Sequence, residues 1–262
     1  MNPGFDLLAP GATDALMLLA LRVGGVLMLA PAFSTAGTPR LMRVGILVLL
    51  TLLVAPAAIG AAHGTAHLTL VSALSETLIG MAIGLGAGLI VAAAEAAGDV
   101  LSIQIGLNGA ALIDPMDGSP VGPLGIFMRL FVVTLLLTFN LHHVVLGALA
   151  DSTEFVPLGS AIDLKQGALA IASSGGLLFI MGIKMAAPVM GVVLIANVAL
   201  AVAGRTAPQL NLLTLAFPVQ IALGLGAIAA TLPVIARWLS GWTGMYESFL
   251  ITTTRAMGAV AH

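Results

Sequence analysis

Along this chain the apolar positions gather into long runs, with polar or Gly- and Pro-rich connections between them. Runs near the ~20 residues that cross a bilayer occupy 14–33, 41–60, 75–94, 124–150, 177–203 and 217–236. The pattern predicts an all-α membrane protein with about six apolar helical segments. The longest interval without such a run is 98–123, GDVLSIQIGLNGAALIDPMDGSPVGP. Its glycines open backbone shapes closed to other residues, and each X-Pro pair turns the preceding residue away from helix. The stretch is therefore expected to be a structured loop. Leu107, Ala110, Ala111, Leu112, Ile113, Met116 and Val121 make it too apolar for a solvated linker. Non-helical backbone at membrane depth is tolerated only inside protein or along a water-filled cavity, which suits a gate; an ordinary interhelical connection is the plainer alternative.

Three further patterns refine the elements. Gly80, Gly84, Gly88 and Ala92, continued by Ala96, recur every four residues, a flat ridge that lets another helix approach closely. Region 167–204 is too long for one simple crossing; the Ser173 to Gly176 run offers a break and Pro188 a kink, so a long bent helix or a hairpin is expected. From Arg237 onward, Trp238, Trp242, Met245, Tyr246 and Phe249 share one helical face, so 237–262 reads as an amphipathic C-terminal segment that lies on the membrane or docks on a partner. The whole chain, 1–262, reads as a single integral-membrane helical domain. No internal repeat supports an inverted-repeat transporter. With six simple spans, Arg40, Arg43 and Arg205 fall on one side and Lys165, Arg237 and Arg255 on the other, so the positive-inside rule decides nothing.

Composition narrows the class. The chain is 60% hydrophobic and 8% charged, with a mean hydropathy of +1.14, which suits lipid as the surrounding solvent. A net charge of −2 offers no basic surplus for nucleic acid. The chain has no Cys, which rules out disulfides, thiolate metal sites and cysteine nucleophiles. Asp6 and Asp14 stand before the first apolar run, where a secretory signal would be positive, so the first helix is expected to remain as structure.

Arg22, Lys184 and Arg129, with Asn140, His142 and His143, interrupt the apolar runs. An ionisable group at membrane depth is a functional candidate unless a neighbouring carboxylate pairs it. Pairing is the favoured reading for Arg22 and Lys184, although the sequence names no partner. His142 and His143 point about 100° apart on a helix and do not chelate one ion easily. His63 and His67 have i, i+4 spacing, but HGTAH lacks the glutamate of a zinc protease helix. No metal site is assigned. No nucleophile elbow, phosphate-binding loop or dinucleotide fingerprint is present, and Asp114 with Asp117 suits turns better than proteolysis. No catalytic residue and no cofactor are expected. A six-span small-molecule transporter or channel, or an inert scaffold, are the rivals to a gate.

Four separated stretches, RVGGVLMLAPAFSTAGTPRLMRVG at 22–45, GLNGAALIDPMDGSPVGPLG at 106–125, NLHHVVLGAL at 140–149 and RTAPQLNLLTLAFPVQIALGL at 205–225, resemble in order those of the flagellar biosynthetic FliR family of the bacterial type III export apparatus. The resemblance implies a subunit of the flagellar protein-export gate, at the basal body in the inner membrane and needed for flagellum assembly, or of the related virulence secretion gate. It implies as partners multiple copies of two smaller gate membrane proteins, the larger switch-type membrane protein, the unfolded exported proteins and lipid. It also implies bent hairpins arranged in a helical pore assembly instead of simple spans.

By the same resemblance the loop is similar to the family's plug, running from Gly106 and Leu107 through Asn108, Leu112, Ile113, Asp114, Pro115, Met116, Asp117, Gly118 and Pro120 to Pro123. Leu112, Ile113 and Met116 are the candidate constriction. A ring of apolar side chains resists wetting, and Gly and Pro hinges let a loop move aside. Gln209, Asn211 and Pro218 are candidate entrance residues, with helix capping the alternative for Gln209 and Asn211.

Overall fold

The computed structural model describes residues 11–30, 39–62, 66–107, 122–160, 162–206, 212–241 and 243–258. Among them the structure is helical and loop, with α1 at Ala12–Leu29, α2 at Arg40–Ala62, α3 at Leu70–Ile105, α4 at Pro123–Thr138, α5 at Leu141–Phe155, α6 at Leu164–Thr206, α7 at Leu212–Ser240 and α8 at Thr243–Gly258. Among the described residues, five helices are long and apolar enough to cross a membrane, or six if α4 and α5 count as one bent span. The chain folds into two compact units. The first holds the described residues of 1–89, 136–176 and 242–262, and the second those of 90–135 and 177–241.

The first unit is built around a buried charge. Ala15, Leu18, Leu19, Arg22, Val23 and Val26 form the inward stripe of α1 at helical spacing. Arg22 thus occupies a position that the pattern would give to a leucine. On α3 the inward stripe includes Ser72, Ser75, Glu76, Ile79 and Ile83. Gly80 lies on the same face, one turn beyond Glu76, and a methyl group there would strike the Arg22 carbonyl oxygen. The facing Gly25 is equally crowded, since its Cβ would lie 2.5 Å from the Thr77 carbonyl oxygen and 2.8 Å from the Met81 nitrogen. Two missing side chains therefore bring the α1 and α3 backbones together, and that approach puts Arg22 beside Glu76.

The Arg22 Nε donates to Glu76 Oε2 at 2.6 Å, with both side chains at 0% exposure. One terminal nitrogen donates to Ser152 Oγ of α5 at 3.0 Å and the other to the Val156 carbonyl at 2.9 Å. The Gly159 N–H donates to Glu76 Oε1 at 2.9 Å. Gly159 has φ of 81°, a conformation that a side chain would strain. Ser152 Oγ in turn donates to the Leu149 carbonyl at 2.6 Å. Every nitrogen of the guanidinium and both carboxylate oxygens are engaged, which is what a buried ion pair requires.

The remaining elements of this unit pack around that centre: α2 on α1, and α5 on α2 and α8. The C-terminal helix docks on its own chain. Arg255 lies over the Phe155 ring at 4.4 Å, the Asp163 N–H donates to the Met257 carbonyl at 3.1 Å, and a Cβ at Gly86 would meet Phe249 and Leu250. The single amphipathic segment expected from 237 onward is divided in the structure. Arg237 to Ser240 end α7 and a new helix starts at Thr243.

Two other regions are refined. Region 124–150 is not one straight helix, because α4 and α5 meet at a bend of 69°. Asn140 stands at the bend with φ of 57°, the left-handed conformation that asparagine tolerates better than most residues. Of the two alternatives for 167–204 the long helix holds, since Leu164–Thr206 is one helix of 43 residues with Pro188 inside it; the hairpin and the break at Ser173–Gly176 do not, although the boundary between the two compact units falls after Gly176. In lipid a run of glycine and serine costs a helix less than in water, because leaving the helix would expose unpaired backbone groups.

Truncating one partner of the ion pair isolates a buried charge, at a cost of about 3–5 kcal/mol. Arg22→Met is therefore expected to lower the thermal midpoint and membrane abundance strongly. Adding Glu76→Gln, which removes the orphaned charge and keeps an acceptor for Gly159, should recover part of the loss. Thermal unfolding in detergent checks both. The same assay should show Gly80→Ala destabilised by about 1–3 kcal/mol from overpacking, and Gly175→Ala, where nothing lies within 4 Å of a Cβ, tolerated.

Candidate functional site

The second unit holds the base of the predicted gate loop. Against the expectation of a loop from residue 98, residues 98–105 form the last two turns of α3. Gly98 is a packing residue here and no breaker. A Cβ on it would strike the Leu124 carbonyl and come within 2.7 Å of Gly125 Cα. The end of α3 and the start of α4 thus touch backbone to backbone.

Both ends of the loop are fastened at this contact. On leaving α3, the Gly106 N–H donates to the Ile103 carbonyl at 3.1 Å and the Leu107 N–H to the Ser102 carbonyl at 2.9 Å. With Gly106 at φ of 86°, this is the Schellman closure of a helix C-terminus. On entering α4, the Gly122 N–H donates to Asp99 Oδ1 at 2.8 Å and the Leu124 N–H to Ser102 Oγ at 3.0 Å. Pro123, at the first helical position, has no N–H to satisfy. The Ile126 N–H donates to the Gly122 carbonyl at 3.1 Å and starts the helix. Two side chains one turn apart on α3 therefore cap α4 from outside it, and the Asp99 carboxylate faces the positive end of the α4 dipole. Ser102, at 0% exposure, serves both ends: its carbonyl holds the departing strand and its hydroxyl the returning one.

Of the predicted plug residues, Gly106 and Leu107 lie at this stem and are half-buried. Asn108, Leu112, Ile113, Asp114, Pro115, Met116, Asp117, Gly118 and Pro120 lie outside the described residues, as do Gln209 and Asn211. Pro218 is an exposed residue inside α7. Its neighbour Phe217 packs against Gly106, 3.2 Å from where a Cβ would stand, and Gly224 of the same helix presses on Ile105. Of the predicted ridge, Gly80 and Gly84 press on α1, a Cβ at Gly84 lying 2.7 Å from the Val26 carbonyl oxygen. Gly88 is half-buried and Ala92 faces outward.

The three cations flagged within the apolar runs each have a partner nearby in space. Arg22 pairs with Glu76, Arg129 lies 3.8 Å from Glu95 in a half-exposed contact, and Lys184 sits 5.7 Å over the Trp238 ring. Asn197 of α6 and Gln220 of α7 are joined side chain to side chain. The His142 and His143 rings meet edge to face at 4.3 Å. His143 also lines a cavity of about 260 Å³ with Gly147, Asp151, Glu247 and Ile251. No group of three metal-ligating side chains exists among the described residues. Sequence reasoning missed Glu76, Ser152, Asp99 and Ser102. The i, i+3 pair of Asp99 and Ser102 and the Gly-Pro start of α4 were the available signal, hidden once the whole of 98–123 was taken as loop.

The fold, with its membrane-length helices and the buried Arg22–Glu76 pair, defines an all-α integral membrane protein. Residues 13–245 match the family of bacterial export proteins, family 1. The chain is 32% identical over 216 residues to the flagellar biosynthetic protein FliR of Pectobacterium carotovorum subsp. carotovorum, covering 82% of this chain and 83% of that protein. It is 30% identical over 217 residues to FliR of Escherichia coli (strain K12), with the same coverage. To FliR of Caulobacter vibrioides it is 28% identical over 237 residues, 89% of this chain and 93% of that protein. The chain belongs to the flagellar biosynthetic FliR family of bacterial export proteins.

Because Gly98 leaves no room for a side chain, Gly98→Ala is expected to pull α4 off α3 and undo both external caps. Faster amide hydrogen exchange across 122–126, relative to wild type, is the measurement.

Proposed function

We propose that this chain is a subunit of the flagellar type III protein-export gate, lining and plugging the pore through which unfolded flagellar proteins leave the cell. Family membership across residues 13–245, on a chain with five or six membrane-length helices, carries the reading. The stem supports the plug assignment. Ser102 holds Leu107 through its carbonyl and Leu124 through its hydroxyl, so both described ends of the loop are fastened to one buried residue. The gate works in the bacterial inner membrane at the flagellar basal body, with several copies of the two smaller gate membrane proteins and beside the switch-type membrane protein.

The chain performs no chemistry of its own in this reading. It threads substrate past an apolar constriction that resists wetting while closed, and the driving energy comes from elsewhere in the apparatus. A small-molecule transporter would need a polar binding site at membrane depth. The charges that suggested one, Arg22 and Lys184, are engaged by Glu76 and Trp238.

Deleting Ala110 to Ser119 in cells expressing the whole gate is expected to leave the assembly intact by co-purification and to let ions leak across the inner membrane. An assembled deletion that stays tight would place the seal in another subunit.

A further inference from the structure

We infer that the groove between α5 and α8, inside the first unit, docks a basic peptide segment of a different protein of the same assembly. The inference rests on the chain working in an assembly, as the gate reading has it, and not on the plug.

The groove is the cavity of about 260 Å³ beside His143. Its α5 wall runs from His143 to Asp151, a stripe two turns long that spans about 12 Å at the helical rise. Val144, Ala148 and Ile251 are its buried or half-buried lining, and His143, Asp151 and Glu247 are exposed around them. Gly147 stands midway along the stripe, and nothing lies within 4 Å of a Cβ placed there, so the groove is open at its centre. Among the described residues that line it there are two carboxylates and no lysine or arginine. A basic side chain suits both parts of such a surface, because its methylenes lie along apolar groups while its charged head reaches a carboxylate. Asp151 and Glu247 stand on different helices, so a segment with two basic side chains can meet both. A metal ion is the poorer occupant, since no group of three metal-ligating side chains exists among the described residues, and an anionic lipid headgroup is repelled by the carboxylates. The same seam already holds a cation one turn further on. Arg255, four residues after Ile251, lies 4.4 Å over the ring of Phe155, four residues after Asp151. The α5 wall is fixed in advance, because Ser152 accepts from Arg22, and a wall that is already ordered lowers the cost of binding.

The test titrates the full-length chain, in neutral detergent, with a fluorescent peptide of alternating lysine and leucine; a glutamate–leucine peptide is the control. Only the lysine peptide should bind, and more weakly as salt rises. Asp151→Asn with Glu247→Gln should weaken it on the order of tenfold, as expected for two exposed ion pairs. Gly147→Leu, which fills the groove without changing charge, should weaken it comparably. Glu154→Gln, at an exposed position of α5 outside the lining, should leave binding unchanged. Equal binding of the two peptides, full affinity in both groove variants, or an equal loss with Glu154→Gln overturns the inference. In cells expressing the whole gate, a photo-crosslinking residue in place of Gly147 should join a lysine- or arginine-bearing segment of another gate protein. Adducts only with lipid, or only with a second copy of this chain, overturn it as well. The gate reading is judged separately by the 110–119 deletion: if that deletion leaks while the titration fails, the docking site falls and the gate stands.

Discussion

The ion pair between Arg22 and Glu76 is the contact on which the first unit depends. A bare arginine at membrane depth is costly, and here the cost is met by partners that the sequence scatters widely: Glu76 lies 54 positions away, Ser152 lies 130 and Val156 lies 134. None of them can serve until α1, α3 and α5 have come together with the turn after α5. The pair therefore couples completion of the fold to neutralisation of the charge. A leucine at position 22 would pack the same stripe without specifying which helix lies beside it, whereas the guanidinium accepts only an arrangement that fills its whole hydrogen-bonding fork.

Glycine makes that arrangement possible. Apolar attraction does little to drive helices together in lipid, so close backbone approach matters more. Gly25 and Gly80 supply it at the ion pair, and Gly84 extends it along α1. At Gly98 the same device works in the second unit, where contact between α3 and α4 brings Asp99 and Ser102 within reach of the α4 amides. Both polar arrangements thus share one construction: a glycine removes the spacer between two helices, and a polar side chain nearby on the same helix exploits the proximity.

This construction explains what could be read from the sequence and what could not. Helix existence was legible because a 20-residue apolar run has few structural alternatives in lipid. The four-residue spacing of Gly80 and Gly84 announced close packing, yet it could not say against which helix, and Gly25 sits in no such series. Glu76 was hidden for a different reason. Pairing across 54 positions leaves no local trace, and an isolated glutamate near the start of an apolar run resembles an interfacial residue. The bend at Asn140 escaped because hydropathy is blind to a single residue in the left-handed conformation, and the continuity of α6 because Gly and Ser break helices far more readily in water than in lipid.

The misplaced start of the gate loop is the most informative of these differences. The strongly apolar run stopped before Gly98, so the loop was expected to begin there, but the structure uses the emptiness of Gly98 as a place where another backbone can enter. The consequence is functional as well as geometric. Had the helix ended at 98, the loop would have begun as a long flexible span with nothing to fix its ends. With two further turns of helix, the chain carries Asp99 and Ser102 to the point where α4 begins, and the described ends of the loop, Leu107 and Gly122, are bonded there. A seal made of apolar side chains resists water only if those side chains return to the same place after each opening. Under the proposed plug function, the buried Ser102, bonded to the departing end by its carbonyl and to the returning end by its hydroxyl, would supply that fixed reference.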